Sequence, residues 1–289
     1  MQENNVLKAL FTLIEDPDEE IYTTISERLV SYGKPIIPNL EYLWEITPNE
    51  DIQNRIERII HRLHFSDLLE NFIEWKNSAD NDLLFGALLI SKFQYPDLQT
   101  TPVIQEIEKI KRNVWLELNS YLTPLEEANV LYNIIFNYYK LKGNEVNYLN
   151  IEDFLIHKVL ELKKGNTISN GILYQILCEK LEINARIINI PKQCIIAFYQ
   201  SDYDQFEFEG NPQEAIQFFV DATNGQIYSH LDIENYFKKI GVSIKPAYFK
   251  PLPNKRIIQI VLQEIVNCLD TDDEEYKREE LIQLINLLD

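Results

Sequence analysis

Only eight glycines punctuate 289 residues. That is too few for flexible linkers or for the many tight turns of an all-β fold, so a chain folded throughout is expected. Cysteine is scarcer still. Cys178, Cys194 and Cys268 form no C-x-x-C pair, and their odd number and wide spacing point away from a disulfide framework or a zinc site and toward free thiols in a reducing compartment. Basic residues are outnumbered 46 to 27, and the resulting formal charge of -19 would repel nucleic-acid phosphates and anionic membrane surfaces. The short basic clusters, residues 158–164 and Lys238-Lys239, stand where helices are expected to end, and there cations meet the negative end of the helix dipole. Neither a nucleic acid nor a membrane is an expected partner.

No apolar run approaches the length needed to span a bilayer, and Met1-Gln2-Glu3-Asn4-Asn5 has none of the basic and apolar regions of a signal peptide. A cytoplasmic location is therefore expected. Gly-rich phosphate loops, H-E-x-x-H and G-x-S-x-G are all missing, and no cofactor is expected. The acidic run over residues 270–275 lacks the glycine and ligand spacing of a calcium loop, which favours a solvated turn over a metal site.

What is present is helical periodicity. Leu7, Leu10, Phe11 and Ile14 recur at helical spacing before Asp16-Pro17-Asp18, and Ile21, Ile25 and Leu29 resume it until Gly33. About thirty residues later Leu40 and Leu43, a turn at Pro48-Asn49, and Ile52, Ile56, Ile59 and Ile60 repeat the arrangement. That period resembles a HEAT-type pair of helical hairpins. Residues 83–93, 102–122 and 124–141 predict three further helices, the last two entered through Thr-Pro steps. One helix is then expected to end at Lys164-Gly165 and another to cover residues 168–181. Residues 185–191, 194–199 and 217–221 read as strands, and Asn224-Gly225 signals a hairpin returning over 226–228. A helix capped by Ser229, a proline-punctuated connector over 246–253 and two helices over 256–269 and 274–288 complete the chain.

The order from Gly165 to Asp221, a glycine, a helix start, two strands and then an aspartate, resembles the transglutaminase-like superfamily. The stretches Gly86-Ala87-Leu88-Leu89-Ile90, Tyr95-Pro96-Asp97-Leu98, Leu122-Thr123-Pro124-Leu125-Glu126, Gly143-Asn144, Val159-Leu160-Glu161 and Gly165 form an almost ungapped series. With Leu173-Tyr174, Pro191, Val220-Asp221 and Asn224-Gly225, that series is similar to the bacterial SirB-one-type branch over about three quarters of the chain. The resemblance implies an α+β, mainly helical fold. A HEAT-like segment over 1–75 would precede a cysteine-protease-like domain over 76–289, made of a helical part (76–150), a core with a small antiparallel sheet (151–250) and C-terminal helices (251–289).

In that superfamily a helix N-terminus lowers the pKa of a catalytic cysteine, a histidine moves the proton and an aspartate orients the imidazole. Carried across, the cysteine position, two residues after Gly165, falls on Thr167, with Ile168 or Ser169 reached by a slip. The histidine position falls on Gln193, and only Asp221 keeps its type. Asp153-Phe154-Leu155-Ile156-His157 replaces the branch's asparagine-rich stretch. Cys178 lies roughly 15 Å along its helix at the usual rise and is read as core. His61 and His64 fall in the N-terminal segment and His157 precedes Gly165, so His230 alone is near the expected cleft in sequence. The aromatic residues, among them Tyr132, Tyr138, Tyr139, Tyr174 and Tyr199, are read as core at helical spacing rather than as an interface.

Three readings follow. The first is a catalytically silent protein that binds a protein or peptide through a residual cleft around Thr167, Gln193 and Asp221, or through its N-terminal helices. The second is an amide hydrolase or acyltransferase with a rearranged triad, in which Cys194 or Ser169 is the nucleophile, His230 the base and Asp221 the orienter. The third is a structural helper that assembles through the N-terminal repeat.

Overall fold

The computed structural model describes residues 9–191, 193–200, 203, 210–269 and 275–289. Leu7, the first five residues and most of the acidic run (270–274) lie outside the described residues. The chain divides into two compact units, Met1–Glu74 and Trp75–Asp289.

In the first unit, helix α1, described over residues 9–13, is followed by α2 (Glu19–Val30), α3 (Ile37–Ile46) and α4 (Glu50–Asn77). Asp18 caps α2 by accepting from the Glu20 amide, and Gly33, at φ 71°, turns the chain after it. The apolar positions that set the period, Leu10, Ile14, Ile25, Leu29, Leu40, Ile56 and Ile59, form one buried cluster. Arg55 supports it from the polar side. Its guanidinium donates to the carbonyls of Ile14 (3.1 Å) and Asp16 (2.5 Å) and lies 4.7 Å from the centre of the Tyr22 ring. Helix α4 runs well beyond Ile60, where the repeated pattern stops.

The second unit opens with α5 (Leu83–Gln94), α6 (Thr100–Glu117) and α7 (Pro124–Tyr132). The helix expected to reach residue 122 ends at Glu117, where Leu118 becomes extended. Thr123 starts α7 with a reciprocal capping box to Glu126. The helix expected over 124–141 is also shorter. After Tyr132 it widens into a π-helix, Asn133–Tyr138, closed by a bond from the Tyr139 amide to the Ile134 carbonyl.

A short parallel pair, β1 (Lys142–Asn144) and β2 (Lys164–Asn166), flanks α8 (Ile156–Leu162). The helix expected to end at Lys164-Gly165 therefore stops earlier, at a left-handed Lys163, because the next residues pair with β1. Strands of three residues carry no periodicity that could have announced them.

Helix α9 (Thr167–Lys180) then leads into an antiparallel meander of β3 (Ala185–Ile190), β4 (Gln193–Tyr199), β5 (Ile216–Val220) and β6 (Ile227–Tyr228). α10 (His230–Ile240), α11 (Asn254–Val266) and α12 (Glu275–Leu288) follow. One sheet face, with Ile188, Ile190, Ile195, Ala197 and Phe219, packs on Ile233 and Phe237 of α10 and on Phe249. Each isoleucine or phenylalanine among them contributes about 1.5–3 kcal/mol on burial. The other face lies on α9, where the Tyr174 ring meets Phe198 edge-on at 6.3 Å. Residues 168–178 of α9 are all buried, and this explains why its sequence shows so little amphipathic pattern.

Gly143 and Gly165 stand opposite each other in the β1–β2 pair. A Cβ at Gly165 would come 2.4 Å from Asn170 Oδ1, and one at Gly143 would come 2.2 Å from the Thr223 Cα. Because that second obstacle is backbone, side-chain rotation cannot relieve it. Gly143→Ala is expected to destabilise the protein by about 2–3 kcal/mol, read as a lower urea midpoint at unchanged slope.

Candidate functional site

The site forms where the N-terminus of α9 meets the β3–β4 hairpin. The first amides of a buried helix need internal acceptors, and Asn166 supplies one: its Oδ1 accepts from the amides of Ile168 (2.9 Å) and Ser169 (3.0 Å). Ser169 answers by accepting from the Asn166 amide at 3.0 Å, and its hydroxyl donates to the Asp153 carbonyl at 2.6 Å. Thr167, the first residue of α9, is left half-buried at the mouth of an open cleft of about 680 Å³.

Around that mouth the lining comes from five separate places in the chain. Thr167 and Ile168 belong to α9; Asn189, Gln193 and Cys194 to the hairpin; Glu145, Val146 and Tyr148 to the segment after β1; Tyr236 to α10; Ile260 and Glu264 to α11. Two hydrogen bonds hold the rim. Tyr236 donates to the Pro191 carbonyl at 2.7 Å, which steadies the hairpin turn. Tyr148 donates to Glu264 Oε2 at 2.7 Å, and this bond is the main reason its phenol is raised to about 12. Among the described residues lining the cleft, the charged ones are Glu145 and Glu264.

The structure brings together only part of the expected set. Thr167, Gln193 and Cys194 line the cleft, whereas Asp221 does not. At the end of β5, Asp221 Oδ1 accepts from the amide (2.8 Å) and hydroxyl (2.6 Å) of Thr223, so its carboxylate is occupied in shaping the turn that carries Asn224 and Gly225. The rearranged triad is not assembled. His230 Nε2 lies 2.8 Å from the Ile216 carbonyl, with its ring edge-on to Phe219. Ile216 pairs with Tyr199, five residues along β4 from Cys194, so histidine and thiol are separated by roughly 16 Å of strand. The Ser169 hydroxyl has its proton committed to the Asp153 carbonyl and is buried beneath the helix start. Cys178 is fully buried, as expected for a core thiol.

Tyr148, Asn189, Tyr236 and Glu264 were not anticipated as site residues. They lie far apart in sequence, on a turn, a strand and two helices with no shared spacing, so only the fold makes them neighbours. Among the described residues no group of His, Cys, Asp and Glu is arranged to hold a metal ion, and no helix is long and apolar enough to cross a membrane.

Loss of solvent contact, with a smaller contribution from Glu264, pushes the Cys194 thiol up to about 11. At pH 8 such a thiol is about one part in a thousand thiolate. Alkylation of Cys194 by iodoacetamide, followed by peptide mass mapping, is expected to be slow at pH 8 and to rise about tenfold per pH unit until close to pH 11.

No curated protein and no solved structure matches the chain. The family model of the transglutaminase-like superfamily matches residues 101–263, more than half of the chain and every lining residue of the cleft but Glu264. The chain belongs to the transglutaminase-like superfamily.

Proposed function

We propose that this protein is a non-catalytic member of the superfamily, within its bacterial SirB-one-type branch, and that it binds a protein or peptide in the cleft at the start of α9. The observation that carries this reading is the pair of residues at the cleft mouth. Thr167 heads α9 where the superfamily's cysteine is expected, and Gln193 begins β4 where its histidine is expected. A threonine hydroxyl needs a base to become a nucleophile, and a glutamine amide cannot take a proton from it. The same two side chains do offer hydrogen-bond donors and acceptors to a peptide backbone. A cleft of about 680 Å³ with both apolar and polar walls suits a short extended segment.

The first unit is read as a HEAT-like pair of hairpins that adds a second binding or assembly face. A cytoplasmic setting fits three free thiols. The hydrolase or acyltransferase reading finds no support in the separation of Cys194 from His230 described above.

Two measurements test the proposal. If Thr167 occupies the former nucleophile position, the Thr167→Cys thiol sits at the positive end of α9, and its pKa is expected to fall below the ordinary 8.5 or so. It should then alkylate at pH 7 at least about tenfold faster than Cys194; an equal rate overturns the assignment of that position. For the binding role, peptides selected on the wild-type protein from a displayed library are expected to lose at least about tenfold in affinity for a Gln193→Arg variant that melts at the same temperature. Peptides indifferent to that change would place binding elsewhere.

A further inference from the structure

The described lining of the cleft carries charge of one sign. Glu145 and Glu264 line it from two separate elements, the segment after β1 and helix α11, and among the described lining residues there is no lysine, arginine or histidine. Glu264 is held in place, since one of its oxygens accepts from Tyr148. Its other oxygen has no hydrogen-bond partner among the described contacts and is free to accept from a ligand. The lining also has apolar side chains, Val146, Ile168 and Ile260, which suit a methylene stem. Amide groups at Asn189 and Gln193 can pair with a backbone. The overall charge of -19 extends the same sign beyond the cleft and steers cations toward it.

We infer that the cleft takes a basic peptide, an extended segment of a partner protein that places an arginine or lysine between Glu145 and Glu264. The inference rests on the binding reading above and names the chemistry of the partner. Charge complementarity decides the choice, because an acidic segment would meet two uncompensated carboxylates and a purely apolar one would strip water from both. A guanidinium or ammonium head satisfies the carboxylates while its stem covers the isoleucines.

The test is a positional-scanning octapeptide library with fluorescence-polarisation readout, run on three forms of the full chain: wild type, Glu145→Gln with Glu264→Gln, and Glu27→Gln with Glu57→Gln. The last pair removes the same charge from exposed positions outside the cleft. Glutamine at position 264 keeps an oxygen for Tyr148, so the cleft variant should fold, and its melting temperature checks this. The expected result is that arginine or lysine pools bind wild type at least about tenfold more tightly than glutamine or glutamate pools. That preference should weaken with added salt, vanish in the cleft variant and persist in the exposed-site variant. Equal loss in both variants would mean general attraction to an acidic protein and would overturn the inference. Glutamine or glutamate pools binding as tightly, yet lost with Gln193→Arg, would overturn the basic specificity while leaving the cleft a peptide site. No pool bound by wild type would overturn both readings.

Discussion

A helix buried on every side has to satisfy its own first amides, and that constraint organises the second unit. α9 lies between the β-sheet and the helices α5, α6 and α8, and beside the open cleft the amides of Ile168 and Ser169 are still buried. Asn166 and Ser169 cap it reciprocally, and Ser169 ties the cap to the Asp153 carbonyl in the segment before α8. The same start must let β1 and β2 run side by side, which is why glycines face each other at 143 and 165. Further along, Gln175 fastens the middle of the helix, accepting from the Ile187 amide at 2.7 Å and donating to Glu179 and Asn254. A buried glutamine with its amide fully engaged stabilises one register of helix against sheet, because a slip would leave it unpaired.

The cleft is a by-product of that packing. Because α9 starts flush with the β3–β4 turn, and because residues 145–148 and α11 stand beside it, the helix start opens onto a hollow instead of closing against a neighbour. An arrangement suited to lowering the pKa of a nucleophile holds a threonine at the helix start and, at the hairpin, a thiol that burial pushes upward. The helix dipole remains, with the amides of Ile168 and Ser169 already engaged by Asn166. Covalent chemistry needs a base within reach of a nucleophile, and His230 is held at the far end of β4 from Cys194.

Much of the fold was legible residue by residue. The α9 helix, β3, β4, the Asn224-Gly225 hairpin and the Ser229 cap all follow from local pattern, because cap chemistry and strand alternation act over a few residues. Other features failed for equally local reasons. The π-helix after Tyr132 and the three-residue β1–β2 pair have no sequence period, and α6 ended early through a backbone turn at Leu118 that propensity does not mark. At the site, Thr167 and Gln193 could be named from chain order after Gly165 and Pro191. Asp221 could be named as well, but not its commitment to the Thr223 turn.

By itself, then, the amino-acid order determined the helical first unit, the succession of helix and strands that defines the superfamily, and the absence of cysteine and histidine two residues after Gly165 and Pro191. Those features depend on neighbours within one or two turns of chain. Only the tertiary structure decided that His230 and Cys194 lie at opposite ends of the sheet, that Ser169 is spent on a cap, and that Glu145 and Glu264 share one cleft. Such relations join residues up to more than a hundred positions apart, and they are set by which surfaces pack together, a property no local spacing encodes.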